Sequence, residues 1–213
     1  MTVFFLHGFA SSARSTKAGY FRRALEPFGI NFQCPDLNEP DFRAMTMTRM
    51  LEQLGRDIDA APPGPVTLMG SSLGGTLAIL AAGRFAARVD RLVLLAPAVM
   101  FGDPGHHLLP AAKIEEWEAR GEYPFFHYAY EDTRPLAYAF YEDSLKYSAF
   151  GTLFTQPTLI FQGRRDELVN PQDVEQFAAA RPNVTLSLLD DDHQLVASLP
   201  QIWNDVRPFL GLK

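Results

Sequence analysis

Short apolar runs alternate along the chain with longer amphipathic stretches. Residues 3–6 (VFFL) form an apolar run that stops at His7-Gly8. Residues 17–28 suit a helix ended near Pro27 and Gly29, and residues 30–34 (INFQC) read as a second strand stopped by Pro35-Asp36. Residues 42–60 are amphipathic, with Met45, Leu51, Leu54 and Ile58 at helical spacing, until the cluster APPGP at 61–65 breaks them. A strand at 66–69, a tight turn and a helix at 73–85 follow, then a buried strand at 89–99. Residues 157–163 are a fifth strand, 171–180 a helix, 184–190 a sixth strand and 196–210 a closing helix. Near-continuous apolar strands separated by helices predict an α/β fold: one open, mostly parallel, six-stranded sheet with helices on both faces.

Residues 101–150 interrupt this alternation, between the fourth and fifth strands. They hold 12 of the 26 aromatic residues and six of the seven tyrosines. A connection this long inside a compact domain is usually functional. It is read as a mainly helical cap inserted into a single domain spanning 1–213.

The strongest chemical signal is Gly70-Ser71-Ser72-Leu73-Gly74, a G-x-S-x-G pattern directly after a buried strand and opening a helix. That context puts Ser72 on a sharp turn at the carboxyl edge of the sheet, facing the positive end of the following helix. Bulk two residues before or after it would collide. Ser71 is the rival hydroxyl, one position early and without the paired glycines. Neither G-x-G-x-x-G nor G-x-x-x-x-G-K-[ST] is present, so the turn does not match a nucleotide-binding loop.

A serine hydroxyl needs a base to attack a carbonyl. Among five histidines, His7 ends the first strand and His106, His107 and His127 fall in the cap. His193 follows the last strand in LLDDDHQLV, at the same edge as Ser72. The carboxylate that would hold its imidazole is Asp166, at the end of the fifth strand in FQGRRDELV, with Glu167 as the weaker alternative. Asp190, Asp191 and Asp192 are nearer in sequence but read as loop acids. Acyl transfer also needs donors aimed at the developing oxyanion. The backbone N–H groups of Leu73 and of Phe9, in the loop His7-Gly8-Phe9-Ala10, are the candidates.

These residues together resemble the α/β-hydrolase family across nearly the full length of the chain. LHGF (6–9), GSSLGG (70–75), Asp166 and His193 carry the likeness, and FLHGFASSARSTKA followed by CPDL (34–37) is similar to the small bacterial YqiA-like esterases. The resemblance implies an α/β-hydrolase fold lacking the two strands that usually begin its sheet, an acyl-enzyme intermediate and no cofactor.

Charge narrows the substrate. The formal net charge is -6, and nothing favours nucleic acid, whose affinity comes from Lys and Arg neutralising phosphates. Nine acidic and four basic residues in 101–150 account for -5 of it. An acidic cap should repel polyanionic leaving groups, and its rings suit a neutral, partly apolar small-molecule ester. Arg14, Lys17, Arg22 and Arg23, grouped near the first helix, are the argument for a thioesterase that receives phosphates. A non-catalytic binding protein on the same fold is the third reading. The N-terminus has neither a basic leader nor a membrane-length apolar run, so neither a signal peptide nor a membrane span is expected. The lone cysteine, Cys34, fits a reducing cytoplasm and no disulfide, and no metal-ligand spacing is seen.

Overall fold

The computed structural model describes residues 1–106 and 108–213. The described residues form eight strands: β1 (Thr2–Leu6), β2 (Asn31–Gln33), β3 (Val66–Ser71), β4 (Val89–Leu95), β5 (Glu122–His127), β6 (Asp132–Ala137), β7 (Thr158–Gly163) and β8 (Val184–Leu189). The helices are α1 (Thr16–Leu25), α2 (Met47–Ala60), α3 (Leu73–Arg84), α4 (Ala111–Arg120), α5 (Ala139–Ser144), α6 (Pro171–Ala179) and α7 (Leu199–Phe209). Six strands form one all-parallel sheet in the order β2-β1-β3-β4-β7-β8, as the apolar runs predict.

Alternation along each strand divides the core into two layers, because successive side chains point to opposite faces. Phe4, Leu6, Leu68, Leu92, Leu94 and Ile160 pack with residues of α2, α3 and α6. Val3, Phe5, Met69, Val93, Leu95 and Phe161 pack with α1 and α7. Residues Leu73 to Ala82 of α3 are all buried, and a helix that is apolar all round belongs in the interior.

The amphipathic stretch at 42–60 is not one helix. Thr46 stops it: its hydroxyl accepts the Arg49 N–H at 3.1 Å as the N-cap of α2, leaving Met45 extended and Phe42–Ala44 as a separate 3-10 turn.

The expectation of a mainly helical cap is corrected. The insertion holds α4 and the short α5, but between them β5 and β6 form an antiparallel hairpin. The cause is a period of two: Tyr123, Phe125 and His127 turn inward while Pro124, Phe126 and Tyr128 face solvent. Pro124 and Pro135 sit opposite each other, which a two-stranded ribbon tolerates because both strands are edges. Trp117 of α4 packs on Tyr123 and Phe125, and its Nε1 donates to Leu136 O at 2.8 Å. Asp143 of α5 fastens the insertion to α2 by accepting the Thr48 N–H and hydroxyl, both at 2.7 Å. A carboxylate on free N–H groups in the first turn of a helix is favourably placed.

Candidate active site

Ser72 stands between β3 and α3, as the N-cap residue of α3, with φ 54° and ψ -118°. A non-glycine backbone held there stores about 1–3 kcal/mol, so its surroundings must enforce it. The Ser72 N–H donates to Leu95 O at 3.0 Å, and its carbonyl accepts from Gly75, Thr76 and Ala98 at 2.8, 3.2 and 3.2 Å. A Cβ on Gly70 would run into the Gly74 carbonyl, and one on Gly74 into the Leu6 carbonyl, so both glycines are required by close approach. Ser72 is half-buried, whereas Ser71 is 4% exposed inside the strand.

Asp166 lies just beyond β7 and His193 beyond β8, and the two meet: His193 Nδ1 donates to Asp166 Oδ2 at 2.8 Å. The same oxygen accepts from Gln162 Nε2 at 2.8 Å, while Oδ1 accepts the N–H groups of Leu168 and Val169 at 2.9 and 2.8 Å. Burial alone would raise the Asp166 pKa. The bonds from His193, Val169 and Gln162 outweigh it and hold the group below the usual carboxylate range. An ionised carboxylate only accepts, so Nδ1 of His193 carries the proton and Nε2 keeps its lone pair. Glu167 is exposed and outside this cluster.

The three neighbouring acids have other partners. Asp190 pairs with Arg165, Asp191 accepts the Ser198 N–H ahead of α7 at 2.9 Å, and Asp192 accepts the Gln194 N–H at 2.8 Å. The loop that carries His193 can lie against β7 only because residue 163 has no side chain. A Cβ on Gly163 would stand 2.5 Å from the carbonyl oxygens of both Asp191 and Asp192. Leu195 is buried in the core layer that also holds Phe161, Leu189 and Leu199. No hydrogen bond joins Ser72 Oγ to the His193 ring. In ligand-free sites that contact is often long and tightens with substrate.

The N–H groups of Phe9 and Leu73 have no hydrogen-bond partner among the described residues. Gly8, beside Phe9, stands against Ser72: a Cβ there would be 3.4 Å from the Ser72 Cβ. His7 braces this loop. Its Nδ1 bonds Gly8 O and its Nε2 accepts the Leu37 N–H, both at 2.9 Å, so the neutral ring links the loop to the segment after β2. The Phe9 ring packs on Phe42, Phe125 and Phe140, and Tyr128 N–H donates to Ala10 O at 3.0 Å, so the cap closes over the far side of the loop.

His127 is buried, bonded to Asn38 at 3.3 Å and stacked on Tyr130, and His106 stands 3.7 Å from Asp173. His107 lies outside the described residues. Two residues that the sequence reading does not single out, Gln162 and Gly163, complete the cluster, and Lys17, one of the basic residues near the first helix, joins it through the loop. Gln162 had a signal, a lone polar side chain at the end of an apolar strand. Among the described residues no group of His, Cys, Asp and Glu is arranged to hold a metal, and no helix is long and apolar enough to cross a membrane.

A family profile described as an uncharacterised protein family, UPF0227, matches residues 2–207. The chain belongs to the UPF0227 family. This UPF0227 chain is also 34% identical over 103 residues to the biotin biosynthesis bifunctional protein BioHC of Teredinibacter turnerae, a match covering 46% of the chain and 17% of that protein. Among solved structures, one assigned as a hydrolase of Agrobacterium vitis S4 aligns with a TM-score of 0.85 at 25% identity, covering 97% of this chain and 87% of that one. Mouse alpha/beta hydrolase domain-containing protein 10 aligns with a TM-score of 0.82 at 24% identity, covering 99% and 89%. The fold is that of the α/β hydrolases.

Proposed function

We propose that this protein is a serine hydrolase that cleaves carboxylic esters through an acyl-enzyme intermediate. The observation that carries the reading is the 2.8 Å bond from His193 to Asp166, at the same sheet edge as the strained Ser72 turn. Ser72 Oγ attacks the ester carbonyl while His193 Nε2 takes its proton. The N–H groups of Phe9 and Leu73 hold the oxyanion. His193 then gives the proton to the departing alkoxide, leaving Ser72 acylated. Water repeats the steps, releasing the acid and restoring the serine. Asp166 stays ionised and stabilises the imidazolium.

The substrate we infer is a neutral, partly apolar ester, taken up by one domain with its cap. The aromatic rings of the cap beside Phe9 support an apolar acyl or alcohol group. Of the basic cluster near α1, on which a thioesterase would rely, Lys17 is buried and Arg22 lies over the Phe32 ring. Cys34 suits a reducing cytoplasm as an inert thiol, its pKa pushed up to about 12 by burial.

The test is turnover of a panel of p-nitrophenyl esters beside acyl-CoA substrates of matched chain length. We expect hydrolysis of the esters, with kcat/KM at least about tenfold above that of the matched acyl-CoA, a gap of roughly 1.4 kcal/mol. Preference for the acyl-CoA series would move the assignment to a thioesterase. Inactivity on both would leave a binding protein.

A further inference from the structure

We propose that Lys17 is a positioning residue that holds the His193 loop in its working shape. Lys17 lies in the first turn of α1, is 7% exposed, and its Nζ donates to Gln194 O at 2.9 Å. Nothing local favours a lysine there. A cation at a helix N-terminus opposes the helix dipole, and burying an ammonium is costly. Its benefit lies across the molecule, 177 positions away in sequence.

The carbonyl it holds is the one immediately after His193 and immediately before Leu195. Leu195 has φ 54°, a left-handed backbone that a branched side chain adopts only under constraint. The fully buried Leu195 side chain, the bond from its N–H to Asp192 O at 3.3 Å and the Lys17 bond to the preceding peptide hold it there. That peptide fixes where the imidazole stands along the sheet edge, as the Asp166 bond fixes its rotation. Without the ammonium the loop can relax the strain, and a displacement of about 1 Å at a catalytic base can cost about 10²-fold in rate.

The charged groups that act on Lys17 among the described residues are Asp192, Asp166 and Asp191, from beyond the ends of β7 and β8. Burial lowers its pKa to about 8 in spite of all three. The sign follows. Activity should fall as pH rises through about 8, when the ammonium becomes an amine whose uncharged N–H is a weaker donor to Gln194 O. Folding stability gains from the same group between about 8 and its unfolded value of 10.5, because there the unfolded chain binds more protons. Opposite responses of rate and stability in one pH window mark a positioning cation rather than a structural one.

This inference rests on the proposed chemistry of Ser72 and His193, and the experiment separates the two. Lys17→Met and Lys17→Arg are compared with the unmodified protein by ester turnover against pH, by thermal melting at pH 7 and by hydrogen exchange of residues 191–196. Lys17→Met should melt no lower than the parent, lose about 10²-fold in kcat with little change in KM, and lack the alkaline limb near pH 8. Lys17→Arg should regain part of kcat and move that limb upward, since guanidinium stays charged. Amides of Gln194 and Leu195 should exchange faster in Lys17→Met. Wild-type kcat and pH profile in Lys17→Met, or a loss matched by a fall in melting temperature, would overturn the proposal. If the parent turns over no ester, the chemical reading fails and exchange alone decides: faster upholds the role of Lys17, unchanged refutes it.

Discussion

Ser72→Ala is expected to lower kcat on any ester the protein hydrolyses by about 10⁶-fold, the loss typical of removing a serine nucleophile. The fold should persist. The Ser72 hydroxyl makes no hydrogen bond among the described residues, so its removal leaves none of their groups unpaired. Alanine at φ 54° is strained no more than serine, and the bonds that hold the turn come from the backbone. A small residual rate should remain, because Phe9 and Leu73 would still polarise a bound carbonyl. Release of p-nitrophenolate and a circular dichroism melt check both parts. Turnover within tenfold of the parent, with an unchanged melt, would remove Ser72 from the mechanism.

Asp166→Asn should cost about 10⁴-fold in kcat with the backbone intact. The argument is one of donors. Asparagine can keep an oxygen toward the Leu168 and Val169 N–H groups, which places its amide nitrogen where Oδ2 now accepts from His193. Two donors cannot face each other, so the imidazole must accept at Nδ1 and carry its proton on Nε2. That is the nitrogen required to take the Ser72 proton. Asp166 also contributes stability, because its folded pKa lies below its unfolded value. The contribution is present above the ordinary carboxylate range and is lost as pH falls through the folded pKa, and the variant should lack that acid-side loss. Kinetics at pH 7 and melting between about pH 3 and 6 test the pair of effects. A loss under tenfold in kcat would show that His193 needs no carboxylate.

The sheet was legible because its six parallel strands are short apolar runs bounded by glycine, proline or aspartate, and burial on both faces leaves little room for another pattern. That Ser72, Asp166 and His193 lie at one edge of the sheet was legible, because each sits just past a strand end, a position that topology sends there. The cap was misread for a physical reason. Aromatic residues serve helices and strands alike, and the period of two from Tyr123 to Tyr128 is only six residues long. Lys17 and Gly163 were not legible. Their roles depend on what the His193 loop packs against, and no local spacing encodes that. Gly163 in particular reads as an ordinary strand end until the Asp191 and Asp192 carbonyls are seen against it.

The account stands on activation of Ser72 by His193, and a fluorophosphonate reports on it directly. The parent protein and His193→Ala are treated alike, and the modified peptide is mapped by mass spectrometry. We expect one adduct, on Ser72, formed rapidly in the parent and slowed at least about 10³-fold in His193→Ala. An adduct on Ser71, no adduct at all, or equal labelling rates in the two proteins would contradict it.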